Sequence, residues 1–301
     1  MTTKPTLVIL AAGMASRYGS MKQTQGFGPS GETIMEYSIY DAIKAGFGKV
    51  VFIIREEFAD TFKAIFEPKL NGVIPTEYVY QELAMYSNGI TINPMRKKPW
   101  GTGHALLCTK NVINGDFIVI NADDFYGYHA FATAANYFIT NKSNDGALVA
   151  FKIGNTLSNN GSVSRGICEV NESQKLISVT ERLKIFRQNS SIVFEDDNGL
   201  TTLNENAPVS MNFWCFRHNV FAYAEKLYHI FLAANKDTEK GEFLLTNIVD
   251  EIINSGNANF NVLHCNAKWF GVTYKEDADG VLAAVAEQVA LGNYPNNLWS
   301  V

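Results

Sequence analysis

Apolar and polar positions alternate between two patterns along the first half of the chain. Short runs at Thr6 to Leu10, Val50 to Ile54, Thr76 to Tyr80, Asp116 to Asn121 and Ala147 to Ile153 have the length and composition of buried strands. Between them lie stretches with helical spacing. Thr33 to Ala45 places Ile34, Tyr37, Ile39, Ala42 and Ile43 on one face, and Gly46 and Gly48 stop it. Ala59 to Phe66 is expected to end at Pro68, and His104 to Lys110 and Tyr128 to Thr140 continue the series. Strand followed by helix, repeated, predicts a parallel sheet with helices on both faces.

The pattern changes after Ile153. Gly166 to Val170, Ile177 to Thr180 and Ile192 to Phe194 read as short strands separated by turns rich in Asn and Ser. Helical spacing returns at Val220 to Ala234 and Glu242 to Ile253, then a strand at Asn259 to His264 and a helix at Glu276 to Leu291. Neither a repeat nor a linker divides the chain. The expectation is an α/β fold, Rossmann-like with a mixed, mainly parallel sheet, forming a single domain over 1–301 with a β-rich lobe inserted at about 154–206.

Composition narrows the function classes. The 301 residues are 47% hydrophobic and 18% charged, which places the chain among folded globular proteins. A net charge of −5 disfavours a nucleic acid or an anionic membrane as partner. No run approaches the ~18 apolar residues of a membrane span, and a cytoplasmic location is expected. Cys108, Cys168, Cys215 and Cys265 stand far apart with no CxxC pair, so buried, reduced thiols are expected. The pattern is compatible with a homo-oligomer and does not fix its order.

The stretch with most chemistry follows the first strand: Leu10-Ala11-Ala12-Gly13-Met14-Ala15-Ser16-Arg17-Tyr18-Gly19-Ser20-Met21-Lys22. Ligands of open α/β sheets bind beyond the carboxyl ends of the strands. Small residues there let the backbone approach a ligand and turn its amides toward phosphate oxygens. Arg17 and Lys22 add two cations to the same loop. No Gly-Lys-Ser/Thr closes the loop and no GxGxxG is present, so neither a P-loop nor a dinucleotide fingerprint fits. On these residues alone it is an anion-binding loop.

The same stretch resembles the LAAGxGxRxG…K signature of the nucleotidylyltransferase superfamily, the sugar-1-phosphate nucleotidylyltransferases. Further segments are similar to that family in the same order. Gly101-Thr102-Gly103-His104-Ala105 resembles its base loop, and Asp116 to Asp123 resembles the strand ending in its metal-binding aspartate. Val179-Thr180-Glu181-Arg182 resembles its sugar-binding segment, and Val209 to Trp214 its N-x-G-x-Y/W strand. The likeness runs from Leu7 to about Val285. Met21 stands where the family usually has Pro, Ala15 replaces a glycine, and Ala122 replaces the glycine of a Gly-Asp pair. Trp269-Phe270-Gly271-Val272-Thr273 lacks the carboxylate often found there for a second metal.

The resemblance implies transfer of a nucleoside monophosphate from an NTP to a phosphorylated acceptor, with Mg²⁺ as cofactor and pyrophosphate as leaving group. Such an acceptor is already ionised, so neither a general base nor a covalent nucleophile is required. It implies that Arg17 clamps the terminal phosphates, Lys22 lies near the α-phosphate, and Asp123 holds the metal, with Asp124 a neighbouring alternative. Leu10, Ala11, Ala12, Gly13, Gly101 and Thr102 would form the nucleotide site. Gly166, Glu181, Asn212 and Arg182 would form the acceptor site, with Lys184 a further cation. The acceptor is expected to be a sugar 1-phosphate. Phosphocholine or a similar alcohol phosphate, with Trp214 and Trp269 caging the cation, is the alternative within the enzyme class. A non-catalytic nucleotide-binding subunit on the same fold is the alternative outside it. About 30 residues follow the Trp269 segment, so no appended β-helix or regulatory module is expected.

Overall fold

The fold is known from a computed structural model that describes residues 4–13, 26–158, 160–271 and 276–300. The first strands are β1 (Thr6–Leu10), β2 (Lys49–Ile54), β3 (Thr76–Tyr80) and β4 (Phe117–Asn121), and they lie parallel in the order β4-β1-β2-β3. Alternation along each strand divides the core. In β1, Leu7 and Ile9 face α1 (Ile34–Lys44), α2 (Ala59–Leu70) and α4 (Tyr128–Thr140), while Val8 faces the opposite layer of α3 (Thr102–Cys108), α5 (Val220–Asn235) and α6 (Leu245–Asn254). Both faces of the sheet are therefore covered, as the parallel pattern requires.

Pro68 does not end α2, which continues to Leu70. The carbonyl that loses its hydrogen bond to proline belongs to Ala64, an exposed residue, so water satisfies it. Burial of Leu70 favours the extra turn.

The inserted segment is more extended than its sequence suggests. After β5 (Asp124–Phe125) and β6 (Gly146–Lys152), the chain forms a meander of β7 (Val163–Val170), β8 (Leu176–Gln188), β9 (Ser191–Asp196) and β10 (Gly199–Leu203). Thr180-Glu181-Arg182-Leu183-Lys184 has no apolar alternation to mark it as strand. It is held extended by β7 on one side, and Lys184, at φ +49°, resets the side-chain alternation before Ile185. β11 (Pro208–Phe216) then joins the meander to the parallel strands, and β12 (Phe260–Cys265) lies parallel to β6, completing an eleven-stranded sheet. The short β13 (Phe270–Gly271) pairs with β5 in a separate two-stranded ribbon.

β11 has β6 along one edge. Its other edge is divided: Val209 and Ser210 pair with β7, and Trp214 to Phe216 pair with β4. Between the two pairings, Met211, Asn212 and Phe213 bulge opposite Val149, and Asn212 takes a left-handed φ of +61°. β4 and β7 diverge at this bulge.

A third apolar cluster lies at one end of the sheet. α7 (Asp277–Ala290) and the residues after it contribute Val281, Val285, Tyr294 and Leu298, which pack on Phe27, Ile34, Tyr37 and Phe125. Three acidic side chains are buried at this seam: Glu32, Glu36 and Asp41. All four cysteines are buried and free. No helix among the described residues is long and apolar enough to cross a membrane.

Burial pushes the Asp41 carboxyl up to about 7, against smaller opposing effects of the Tyr294 hydrogen bond and Lys44. The native state therefore holds this proton more tightly than the unfolded chain. The associated stability is fully present below about pH 4 and is lost as pH rises through about 7. Asp41→Asn should flatten the fall in melting temperature between pH 6 and pH 8, and thermal unfolding across that range measures it. An identical slope in the variant would remove Asp41 as the cause.

Candidate active site

The bulge in β11 gathers the polar residues that sequence reasoning places far apart. Asn212 Nδ2 donates to Asn121 Oδ1 at 3.1 Å, and the Trp214 indole N–H donates to Asn212 Oδ1 at 3.0 Å. The half-buried amide thus finds its partners in side chains of β4 and β11. Asn121 Nδ2 in turn donates to Asp124 Oδ2 at 2.9 Å. The Tyr126 hydroxyl accepts from the Asn121 amide and lies 2.9 Å from Met211 O, which fixes the end of β4 against the bulge.

The two neighbouring aspartates are in different states. Asp124 is 9% exposed, and its Oδ2 accepts from Asn121 and from Tyr126. Burial, and then the charge of Asp123, push its carboxyl up to about 7. Asp123 is half-buried and makes no hydrogen bond or ion pair with any described residue. Gly271 stands in register with Asp124, and a side chain there would meet Trp269, Asp124 Oδ1 and the Asp123 carbonyl at 2.9–3.2 Å. The C-terminal carboxylate missing from this segment would therefore have had no room at Gly271. Among the described residues no group of three carboxylates, histidines or cysteines converges as a metal cage.

Leu10 is in register with Asn121, so Ala11 to Gly13 emerge beside Asn121 and Asp123. The Ala11 amide is committed to Ile53 O at 2.8 Å and extends the sheet, so it is not available to a phosphate. Arg17 and Lys22 lie outside the described residues.

Gly101, at φ +99°, caps α3, and its would-be Cβ falls 2.6 Å from Phe243 O. Only glycine fits this entry to the helix. The Thr102 hydroxyl accepts from the Leu245 amide at 3.0 Å and so ties α3 to α6, and among the described residues it donates to none. Gln81, which no motif marks, directly follows β3 and donates from Nε2 to Gly101 O at 2.9 Å. His104 is structural, as its helical position suggests. It is fully buried between Gln81 and Met85 O, and burial lowers it to about 4, so the ring is neutral at pH 7.

On the other side of the bulge, Gly166 is in register with both Ser210 and Glu181. A Cβ on Gly166 would strike Val179 at 2.6 Å, so glycine is needed for β8 to lie close. Glu181 is solvent-exposed yet sufficiently enclosed that desolvation raises its carboxyl, with Arg165 opposing. Arg182, the next residue, points to the other face and lies over Phe194 at 4.7 Å, away from Glu181. Lys184 pairs with Glu195 at 3.3 Å. A cation that sequence reasoning missed, Arg165, acts on the site. It is 7% exposed, stacks on Trp269 at 4.6 Å, bonds the Thr156 and Ser164 carbonyls, and acts electrostatically on both Asp124 and Glu181. A charged residue inside a strand and directly before Gly166 was the available signal.

A mainly parallel sheet covered by helices on both faces, joined through β11 to an antiparallel lobe, defines the α/β class of this fold. Residues 6–273 match the profile of the family described as nucleotidyl transferase, and the chain belongs to that family of enzymes. The inositol-1-phosphate CTP transferase from T. maritima has the same fold, with a TM-score of 0.62 at 12% identity over 95% of this chain and 97% of that one. A protein assigned as a glucose-1-phosphate thymidylyltransferase from Bacillus anthracis, solved with sucrose, superposes with a TM-score of 0.63 at 13% identity over 93% and 94%. No functionally curated protein matches the chain.

Removal of the Asn212 side chain leaves the buried Trp214 N–H without an acceptor. Asn212→Ala should lower unfolding stability by about 1–3 kcal/mol. Asn212→Gly relieves the left-handed backbone but not that loss, so urea unfolding should show it also destabilised. Full recovery in the glycine variant would show that the backbone, and not the amide, is what matters.

Proposed function

We propose that the protein transfers a nucleoside monophosphate from an NTP to a sugar 1-phosphate or a closely similar polyol phosphate, releasing pyrophosphate. The observation that carries this reading is the linked row Asn212–Asn121–Asp124, with Asp123 beside it at the end of β4. It joins a strand-end nucleotide site to a lobe offering Gly166 and Glu181. A carboxylate with no partner among the described residues favours a catalytic site over a non-catalytic subunit. Two of its structural neighbours are, by their descriptions, transferases for an inositol phosphate and a glucose phosphate.

In this reading Ala12, Gly13 and Gly101 admit the nucleotide to close backbone approach, with Thr102 free to donate. Arg17 draws charge from the terminal phosphates, and Lys22 stabilises the oxygen charge that builds at the α-phosphate. Mg²⁺ habitually takes one or two protein carboxylates and completes its shell with phosphate oxygens and water, so a lone Asp123 suits it. Bound there, it would neutralise phosphate charge. Asp124, already engaged by Asn121 and Tyr126, supports Asp123 rather than competing for the metal. Glu181 accepts hydrogen bonds from acceptor hydroxyls, and Arg165 keeps its charge in balance.

The phosphocholine alternative loses its support. Trp214 is fully buried, and Arg165 already covers the face of Trp269, so the two tryptophans do not form an open cage for a cation.

The test is pyrophosphate release from each of the five NTPs with Mg²⁺ and with glucose 1-phosphate, inositol 1-phosphate or phosphocholine. Turnover is expected with a sugar or inositol phosphate. Asp123→Asn and Lys22→Ala should each cost about 10²–10³ in turnover, while Asp124→Asn stays within about tenfold of wild type. Glu181→Ala should raise the acceptor KM and leave the NTP KM in place. Turnover with phosphocholine alone would overturn the sugar reading, and a severe Asp124→Asn with a mild Asp123→Asn would reverse the two aspartates.

A further inference from the structure

We infer that Arg96 is a positioning residue for the nucleotide-binding turn at Gly101 and Thr102, which it sets by its planar shape and not by its charge. The inference rests on the role proposed above for that turn.

The chain between β3 and α3, residues 81–101, contains no helix or strand. Loops longer than about 12–15 residues without structure of their own are uncommon in compact domains and usually functional. Arg96 holds this one. It is 3% exposed, and all its side-chain hydrogen bonds run to backbone carbonyls. Nε donates to Lys98 O at 2.8 Å, Nη2 to Pro99 O at 3.1 Å and Gly241 O at 2.6 Å, and Nη1 to Thr238 O at 3.0 Å. The guanidinium carbon lies 3.4 Å from the centre of the Trp100 ring. The three residues before Gly101 are thus gripped by one rigid group, which also binds the segment 238–241 to them.

Both segments continue directly into the turn. The Phe243 amide donates to Trp100 O at 2.5 Å, and the Gly103 amide donates to Phe243 O at 2.9 Å. A Cβ on Gly101 would meet that same Phe243 oxygen at 2.6 Å. The Trp100 indole N–H bonds Leu83 O at 3.1 Å, and Gln81 bonds Gly101 O from the end of β3. Gly101 is therefore enclosed between Trp100 and Phe243, and the spacing of these two segments is set by the carbonyls that share Arg96. Charge does not account for the arrangement. Arg96 makes no ion pair with any described residue, and burial pulls its guanidinium below the usual arginine range, against Tyr228 and Glu242. A buried cation without a contacting anion is costly, and an apolar side chain would fill the space without that cost. What only a guanidinium provides is several N–H groups in a fixed fork together with a flat face for the indole. A displacement of about 1 Å at a binding group can cost about 10²-fold.

The test compares Arg96→Ala and Arg96→Lys with wild type, by calorimetric titration with each of the five NTPs and by steady-state kinetics. Both variants should raise the NTP Kd and KM by about tenfold or more and leave the acceptor KM in place. The lysine variant keeps the charge and loses the fork, so it should fail with the alanine variant, and it carries the measurement should Arg96→Ala not fold. Added methylguanidinium should restore NTP binding to Arg96→Ala, and methylammonium should not. The same additive should raise the melting temperature of Arg96→Ala without any nucleotide. Phe66→Leu, a core change on the opposite face of the sheet, should lower stability and leave the NTP KM unchanged. An unchanged NTP Kd in a folded variant, wild-type behaviour of Arg96→Lys, or equal rescue by the two cations would overturn the inference. A wild type that binds no NTP, with methylguanidinium still stabilising Arg96→Ala, would instead overturn the proposed function and leave the hold of Arg96 on the turn standing.

Discussion

The arrangement of the site depends on the divided edge of β11. One strand cannot keep regular pairing with two neighbours that diverge, so it bulges, and the bulge leaves unpaired backbone and a left-handed residue at its centre. Asn212 suits that position twice over. Asn tolerates positive φ better than most residues with a side chain, and its amide can bond both ways. Through Asn121 and Trp214 it links the parallel half of the sheet to the antiparallel lobe. Proposed nucleotide and acceptor residues are brought face to face because the sheet forks between them.

Charge is distributed with the same economy. Asp124 is deeply buried and accepts from Asn121 and Tyr126, whereas Asp123 bonds to none of the described residues. Adjacent carboxylates repel one another, and here burial raises the inner one and so relieves the pair. Arg165 supplies a counter-charge to Asp124 and Glu181 at once, and its own burial lowers it to about 10. Its stacking on Trp269 brings the chain near residue 270 up to the lobe.

Much of the fold was legible because its strands are short, apolar and separated by helices of regular period. β1, α1, β3 and α4 fall within a residue of where their patterns place them. The lobe was less legible, since β10 is almost wholly exposed and β8 runs on through residues 180–184, which have no apolar alternation, so both take their full length from their neighbours. Pro68 misled because proline's cost depends on whether the orphaned carbonyl reaches water, which is a tertiary fact. At the site, the glycines announced themselves through motif and backbone demand. Arg182 was favoured over Arg165 because motif order ranks residues along the chain; the two stand opposite each other on paired strands, and only their tertiary neighbours, Phe194 for one and Trp269 for the other, tell them apart. Gln81 and Tyr126 act only through hydrogen bonds across the sheet, for which no local pattern exists.

The fork also dictates an order of assembly. β1 to β4 are complete once the first 121 residues exist, and the meander β7 to β10 pairs entirely within residues 163–203. Each can form as its own nascent piece, but both keep an open edge until residues 208–216 arrive to fill the space between them. During synthesis at about 5–20 residues per second, those edges stay unpaired for several seconds. A growing chain in that interval presents the backbone most prone to wrong partners. The strand that places Asn212 is thus also the one that ends this exposure, so a polypeptide that stalls before it yields two half-sheets that never join.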